Sequence, residues 1–301
     1  MKGLHPLRSH EDEPAWGHLV RAELVGGAWS YRDLRLRGAR DLEILRYLAG
    51  CDGTSVKEYA SAHGEILMLR AMGKAGTLRG THRGRPLTPG GRGARSDIPP
   101  RACRQCVNED VAEHGYSWYR LKQNLPGLAT CHLHGQQLFI AGTATERRQF
   151  DARLGQLETR AGSPEEFAYV DDFVRRYEMA LLMFVQRRHS ITSWRMLVNV
   201  VESRLKNIGL DKESEAIFYL VSEQSNKDWL AQNFIQERKR GLALRESLAE
   251  VLIKPTFTHH LSLAVASVFE DLVELSLAIS SLRLGKRVKP FLRAANCRLR
   301  H

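Results

Sequence analysis

Two short motifs of cysteine and histidine constrain this chain more than any other feature. They read Cys103-Arg-Gln-Cys106 and Cys131-His-Leu-His134, and residues 107–130 separate them. A gap of two residues lets both side chains of a motif face one metal ion, and a hairpin that joins the motifs completes a tetrahedral zinc site. Gly135, directly after the second motif, supplies the backbone freedom that such a tight turn needs.

We therefore predict one zinc ion with a structural role. Its predicted ligands are Cys103, Cys106, Cys131 and His134. A catalytic zinc keeps one ligand position open for water, whereas this set already provides four protein ligands. A catalytic metal, and a coincidental spacing without any metal, are the alternatives to this interpretation.

The charge of the chain favours an anionic partner. It carries 45 basic and 34 acidic residues, for a net charge of +11. Nucleic acid is the first candidate, because scattered lysine and arginine residues that neutralise phosphates release counterions and so favour binding. A basic protein without a nucleic-acid partner is the alternative.

The cysteines and the apolar segments bear on the compartment. Cys51 and Cys297 lie outside the predicted zinc site and far apart, which suits a reducing cytoplasm better than a disulfide scaffold. The first residues lack the apolar stretch of a secretory signal. Residues 261–282 are the most hydrophobic, but they include three acidic residues, so we expect a buried helix there. We expect a cytoplasmic protein without a membrane segment.

Hydrophobic spacing predicts helices on both sides of the zinc module. The N-terminal region should hold a helix from Pro14 to Gly26-Gly27, a second over 39–49, and a third capped by Ser55 and Glu58. Strand-forming residues at 116–119, 129–131 and 137–140 predict a small β module around the metal. Later predicted helices start at Ser163 and Asp211, follow Asn226, and cover 242–253 and 261–282.

The predicted fold class is mainly α, with a small zinc-ribbon-like β module and a helix-turn-helix-like C-terminal domain. The predicted regions are an N-terminal helical region at 1–72, a basic linker rich in Gly and Arg at 73–100, the zinc module at 101–142, a helical domain at 160–282 and a basic tail at 283–301.

Two basic segments are candidates for contacts with phosphates. Residues 66–96 contain no acidic residue, and they have too little apolar area to form an ordered structure of their own. Two interpretations of this segment remain open: a flexible linker without a ligand, and a basic linker that follows a phosphate backbone. The run 237–240 ends a predicted helix, where favourable charge on the helix terminus explains it as well as DNA does. The candidate DNA-contacting residues are Arg79, Arg83, Arg85, Arg92, Arg95, Arg238, Lys239 and Arg240.

The residues that flank and separate the two motifs are more specific to one kind of protein than the motifs themselves. They comprise the segment 101–110 (RACRQCVNED), the triplet 118–120 (WYR) and the segment 125–135 (LPGLATCHLHG). These segments resemble the TniQ/TnsD family, whose members select targets for heteromeric DNA transposons. Glu13, Leu19 and Arg21 match the family's opening helix, and the elements 254–255 and 259–261 resemble a part of its longer members.

The chain departs from the family pattern at a few positions. Arg104 and His132 stand where members often have proline, which makes both motifs more basic without touching a ligand position. Gln123-Asn124 stands where a histidine is common. The cysteines for a second zinc site, which some members have, are missing.

The resemblance implies zinc ligation by the four motif residues. It also implies a DNA-binding adaptor that brings a transposase complex to its target by contacting an AAA+ ATPase. Such an adaptor would be a bacterial protein of the cytoplasm, associated with the nucleoid. The adaptor meets either the target DNA itself or a CRISPR effector complex, and whether it forms a homodimer stays open. The family does not cut or join DNA, so the resemblance implies a protein that is not an enzyme.

Two other functions are compatible with the residues. One is a zinc-ribbon module that binds proteins and no nucleic acid. The other is a zinc-dependent nuclease that uses His132 or His114 together with Glu109 or Asp110, which needs an open metal position or a second metal. We expect His132 to be a solvated loop residue instead, and 109–110 to begin a helix.

Overall fold

Helices dominate the computed structural model of the protein, which confirms the mainly helical fold class. The zinc-ribbon-like and helix-turn-helix-like parts of that prediction stay predictions. The chain divides into two compact units. The structure describes residues 8–26, 41–63, 100–140, 170–187, 191–210, 215–234 and 258–271, with shorter stretches at 244–246, 248–249, 251–252, 273–274 and 277.

Three helices begin the first unit. They are α1 (Ala15–Gly26), α2 (Asp41–Asp52) and α3 (Val56–His63). Helix α1 begins directly after Pro14, as predicted, because proline suits the first turn of a helix. The predicted capping box of α3 is also confirmed, since Ser55 N donates to Glu58 Oε2 at 3.0 Å and Glu58 N donates to Ser55 Oγ at 3.2 Å.

The two cysteine and histidine motifs lie in the same unit. Their module contains β1 (Arg101–Ala102), α4 (Arg104–His114), a 3₁₀ turn (Lys122–Asn124) and β2 (Phe139–Ile140). The strands β1 and β2 pair antiparallel, and a bridge between Thr130 and Gln137 continues the hairpin towards the second motif. The strands predicted at 129–131 and 137–140 therefore appear in shortened form.

The strand predicted at 116–119 is wrong, because these residues form an irregular loop. Trp118 and Tyr119 are both buried, in one core with Trp16 and Leu45 of the N-terminal helices. Strand propensity reflects a fit to a half-buried pleated surface, and two consecutive buried aromatic residues do not have that pattern. Described residues of the predicted N-terminal region and of the predicted zinc module thus share one hydrophobic core.

The second unit is a bundle of helices. It contains α5 (Asp172–Arg187), α6 (Ile191–Asn207), α7 (Ala216–Gln224) and α9 (Thr258–Val268). Helix α8 (Lys227–Phe234) follows α7 in the chain, and from Asp228 onward it belongs to the first unit. Helix α9 is the centre of the bundle and packs against α5, α6 and α7.

Two predicted helix boundaries in the second unit change. Helix α5 begins at Asp172, because the side chain of Asp171 accepts a hydrogen bond from Val174 N at 2.7 Å and so caps the helix. The predicted start at Ser163 lies outside the described residues, as does Asp211. The helix predicted over 261–282 is interrupted at 269–271.

The end of α9 explains this interruption. Arg176 of α5 donates from Nε to the carbonyl of Ala266 and from Nη1 to that of Glu270, each at 3.1 Å, and Gln224 Nε2 donates to that of Ser267 at 2.8 Å. These donors satisfy carbonyls that a continuing helix would use itself. No helix in the described part of the chain has the length and apolar character needed to cross a bilayer.

Candidate metal centre

Local folding brings the four predicted ligands to one place. Cys103 occupies the N-cap position of α4, and Cys106 lies in the first turn of that helix. Cys131 follows the bridge at Thr130, and Gly135 N donates to the carbonyl of Cys131 at 2.8 Å, which closes the turn that holds His134. The predicted role of Gly135 is confirmed by its φ of +65°, a conformation that other residues rarely adopt.

The four ligand atoms have the spacing of a tetrahedral site. They all lie within 4.8 Å of one another. Cys106 Sγ is 3.7 Å from Cys131 Sγ, and His134 Nδ1 is 3.5, 3.3 and 3.8 Å from the sulfurs of Cys103, Cys106 and Cys131. Zinc bonds of about 2.0–2.3 Å in a tetrahedron give ligand separations of about 3.5–3.8 Å. The donor set therefore fits one tetrahedral ion.

The ring of His134 is oriented by a carboxylate. Its Nδ1 faces the three sulfurs, and its Nε2 lies 3.1 Å from Glu109 Oε2. Gln105 Nε2 donates to the other oxygen of that carboxylate at 3.0 Å. A carboxylate on the second nitrogen of a ligand histidine fixes its tautomer and raises its basicity. Glu109 lies in the middle of α4 and not at a helix start, which corrects the expectation for 109–110.

A hydrogen bond joins the thiols of Cys106 and Cys131. The hydrogen bond with Cys131, together with burial, raises the pKa of Cys106 above its usual range. The same hydrogen bond lowers the pKa of Cys131 to about 7. One thiolate of this pair is thus available near neutral pH, and metal ions bind the thiolate form of cysteine.

An ion pair fixes the loop that follows α4. Asp110 accepts hydrogen bonds from Arg120 Nη2 at 2.7 Å and from Ser117 Oγ at 2.8 Å, so both of its oxygens are engaged. Burial raises the pKa of the Asp110 carboxyl. Arg120 in turn interacts with the sulfur of Cys106. Of the residues named for a nuclease, Asp110 is therefore part of the scaffold.

The two histidines named for a nuclease lie in different surroundings. His132 is half-buried, whereas a solvated loop residue was expected, and burial lowers its pKa to about 4. His114 ends α4, where its Nε2 lies 3.7 Å from Glu113 Oε1 and its ring lies 5.6 Å from that of His10. The two histidines do not join the cluster of possible metal ligands in the described residues.

The aromatic residues between the motifs bind the N-terminal segment. The ring of Trp118 stacks on His10 at 3.6 Å with an angle of 8°, and the guanidinium of Arg120 lies 4.6 Å from its centre. Trp118 and Tyr119 are 7% and 1% exposed. Neither ring is therefore available to stack on a nucleic-acid base, and neither closes a separate small core around the metal.

Two consecutive amide residues matter more than the sequence suggests. Gln123 and Asn124 are both buried, although in the sequence they stand out only as a departure from a family pattern. Arg101 N donates to Asn124 Oδ1 at 2.9 Å, and Asn124 Nδ2 donates back to the carbonyl of Arg101 at 3.0 Å. Gln123 contacts the cysteines directly, at 3.2 Å from Cys106 Sγ. Neither hydrophobic spacing nor a metal-ligand pattern signals these roles.

Arg101 also connects the module to α8. Its Nη1 donates to the carbonyl of Leu128, and its Nη2 donates to Asn233 Oδ1 at 2.5 Å. Trp229 Nε1 donates to the carbonyl of Gly127 at 3.0 Å. The segment 125–128 is thus held from two sides. The eight basic residues named for DNA contact, at 79–95 and 238–240, lie outside the described residues.

The chain matches no model of a known protein family, and no curated protein is similar to it at a significant level.

Proposed function

We propose that Cys103, Cys106, Cys131 and His134 bind one structural zinc ion, and that the protein is an adaptor that selects target sites for a heteromeric DNA transposon. The spacing of the four ligand atoms carries the first part of the proposal. Three thiolates and one imidazole in a tetrahedral arrangement are a donor set typical of zinc. When bound, the ion would cross-link helix α4 to the hairpin.

The role in transposition rests on the residues that resemble the TniQ/TnsD family. Several of them have structural roles in the first unit: Arg101 binds the segment that follows the 3₁₀ turn, Asp110 pairs with Arg120, and Glu13 pairs with Arg21. The resemblance therefore includes residues that stabilise the metal module and residues that stabilise the start of α1.

The adaptor would work by position and not by catalysis. The basic side chains bind phosphates, since a net charge of +11 favours binding to the DNA backbone. A protein surface recruits the AAA+ ATPase, which brings the transposase. The target is reached either through the adaptor's own DNA contacts or through a CRISPR effector complex.

DNA binding by the zinc-loaded full chain tests this function. We expect the dissociation constant for duplex DNA to rise about 100-fold between 50 and 200 mM salt if four phosphates are contacted. Binding that is absent or insensitive to salt would favour a zinc module that binds proteins alone. Cleavage of DNA that depends on the metal and is lost in His132→Ala would favour the nuclease.

A second experiment addresses the partner. If the gene for this protein lies beside a gene for an AAA+ ATPase, that ATPase is the partner to test, and the two proteins should co-purify in a ratio that does not depend on added nuclease. Co-purification that disappears on nuclease treatment would mean that DNA alone joins them, which contradicts a protein contact.

A further inference from the structure

One buried side chain outside the ligand set contacts three of the four ligand residues. Gln123 is 1% exposed. Its Nε2 donates to Cys106 Sγ at 3.2 Å and to Cys131 Sγ at 3.4 Å. Its Oε1 accepts a hydrogen bond from Cys103 N at 3.1 Å. A single amide group therefore spans both motifs.

We propose that Gln123 is a positioning residue of the metal centre, which holds the Cys106 and Cys131 sulfurs in place and sets the affinity for the ion. This inference rests on the proposed zinc site. The amide joins the first motif to the second from the buried side, whereas Glu109 orients His134 from the exposed side. Together the two side chains contact all four ligand residues.

The charge of the site explains why a donor is needed there. Three thiolates and one divalent ion leave a net charge of −1 in a buried environment. Hydrogen bonds donated to the sulfur atoms spread this charge. The low dielectric constant of the protein interior makes these hydrogen bonds stronger than they would be in water. Arg120 supplies a positive charge beside Cys106, and Gln123 supplies donors to both Cys106 and Cys131 without adding a charge.

The backbone around Gln123 holds the amide ready. The residue lies in the 3₁₀ turn, whose end is fixed by Leu125 N donating to the carbonyl of Lys122 at 3.4 Å. Its neighbour Asn124 is clamped to the backbone of Arg101 by two hydrogen bonds. A side chain that is fixed in this way loses little freedom when the ion binds, so its contribution to affinity is retained.

The variant Gln123→Glu removes the donor and keeps the size of the side chain and the acceptor for Cys103 N. We expect its zinc dissociation constant, measured by competition with a chelator on the full chain, to rise about 10- to 100-fold. Gln136→Glu is the matched control, because it adds the same charge at an exposed position of the same hairpin. The control should bind zinc as the wild type does.

Three outcomes are decisive for the two proposals. Wild-type protein without zinc refutes the metal site itself. Wild-type protein with zinc, and a Gln123→Glu dissociation constant within about twofold of it, refutes the role of Gln123 alone. A variant that loses stability equally with and without zinc also refutes it, since a merely structural residue would behave in that way.

A measurement on the wild-type protein tests the proposal even if the Gln123→Glu variant does not fold. When ¹¹³Cd replaces zinc, the side-chain amide protons of Gln123 should show scalar coupling to the metal nucleus through the N–H···S hydrogen bonds. Assigned amide protons of Gln123 without such coupling would overturn the proposal.

Discussion

The guanidinium of Arg21 makes a two-pronged ion pair with the carboxylate of Glu13: Nε lies 2.8 Å from Oε1, and Nη2 lies 2.7 Å from Oε2. The two side chains are 1% and 0% exposed. Arg21 Nη2 also donates to the carbonyl of Arg8, and His10 N donates to Glu13 Oε2 at 2.9 Å. The pair thus ties α1 to the segment before it.

Removing one partner of this pair should strongly destabilise the first unit. Arg21→Met leaves the carboxylate of Glu13 buried without its cation, and the free energy of unfolding should fall by about 3–5 kcal/mol. Urea denaturation measures the change. Arg46→Met is the control, because Arg46 is exposed on α2 and its loss should change stability by no more than about 0.5 kcal/mol.

Replacing both partners distinguishes the loss of the ion pair from the cost of leaving one buried charge without its partner. The double variant Glu13→Leu with Arg21→Met removes both charges, and it should lose less stability than either single variant, because no charge stays buried alone. Equal additive losses in the double variant would contradict this account.

The carboxyl of Asp12 should make stability depend on pH. Burial raises its pKa to about 6, and the residue has a φ of +65° that asparagine tolerates. The folded state then prefers the protonated form, so Asp12 costs stability as pH rises from about 4 to about 6, and the full cost remains above that range.

The variant Asp12→Asn tests this dependence. It should raise the free energy of unfolding at pH 7.5 by up to about 3 kcal/mol, with roughly half that gain at pH 5. Attraction to Lys122 Nζ, which lies 4.0 Å from Asp12 Oδ1, opposes the effect of burial and is already included in the pKa of about 6. Denaturation at the two pH values measures the gain, and a difference that does not vary with pH would contradict the raised pKa.

The second unit should depend on Arg176 at the end of α9. Arg176→Met leaves two carbonyls and the side-chain oxygen of Gln224 without a donor, and the free energy of unfolding should fall by about 2–4 kcal/mol. Arg175→Met is the matched control, because Arg175 is the exposed neighbour on the same helix. Thermal unfolding that is equal for the two variants would contradict the role of Arg176 as a cap.

Local patterns in the sequence predict some features of this fold well. The capping box of Ser55 and Glu58 acts between residues three apart, so its two hydrogen bonds follow from the sequence alone. The four metal-ligand residues are also brought together, because their spacing within each motif restricts the geometry.

Features that depend on distant residues escape such patterns. The break after α9 depends on Arg176, about 90 residues earlier in the chain, whose donors take the carbonyls at the helix end. Gln123 contacts the cysteines of both motifs only because the 3₁₀ turn directs it there. The buried loop around Trp118 depends on packing against N-terminal helices, which no strand propensity includes.

Zinc content of the purified full chain tests the central claim most directly. We predict one zinc ion per chain, its loss in Cys103→Ser, and its retention in Cys51→Ser, since Cys51 lies in α2 outside the cluster. The loss should destabilise the first unit by a large part of the free energy of zinc binding, which is on the order of 10 kcal/mol in small sites. Wild-type protein that is folded and contains no zinc would contradict the account.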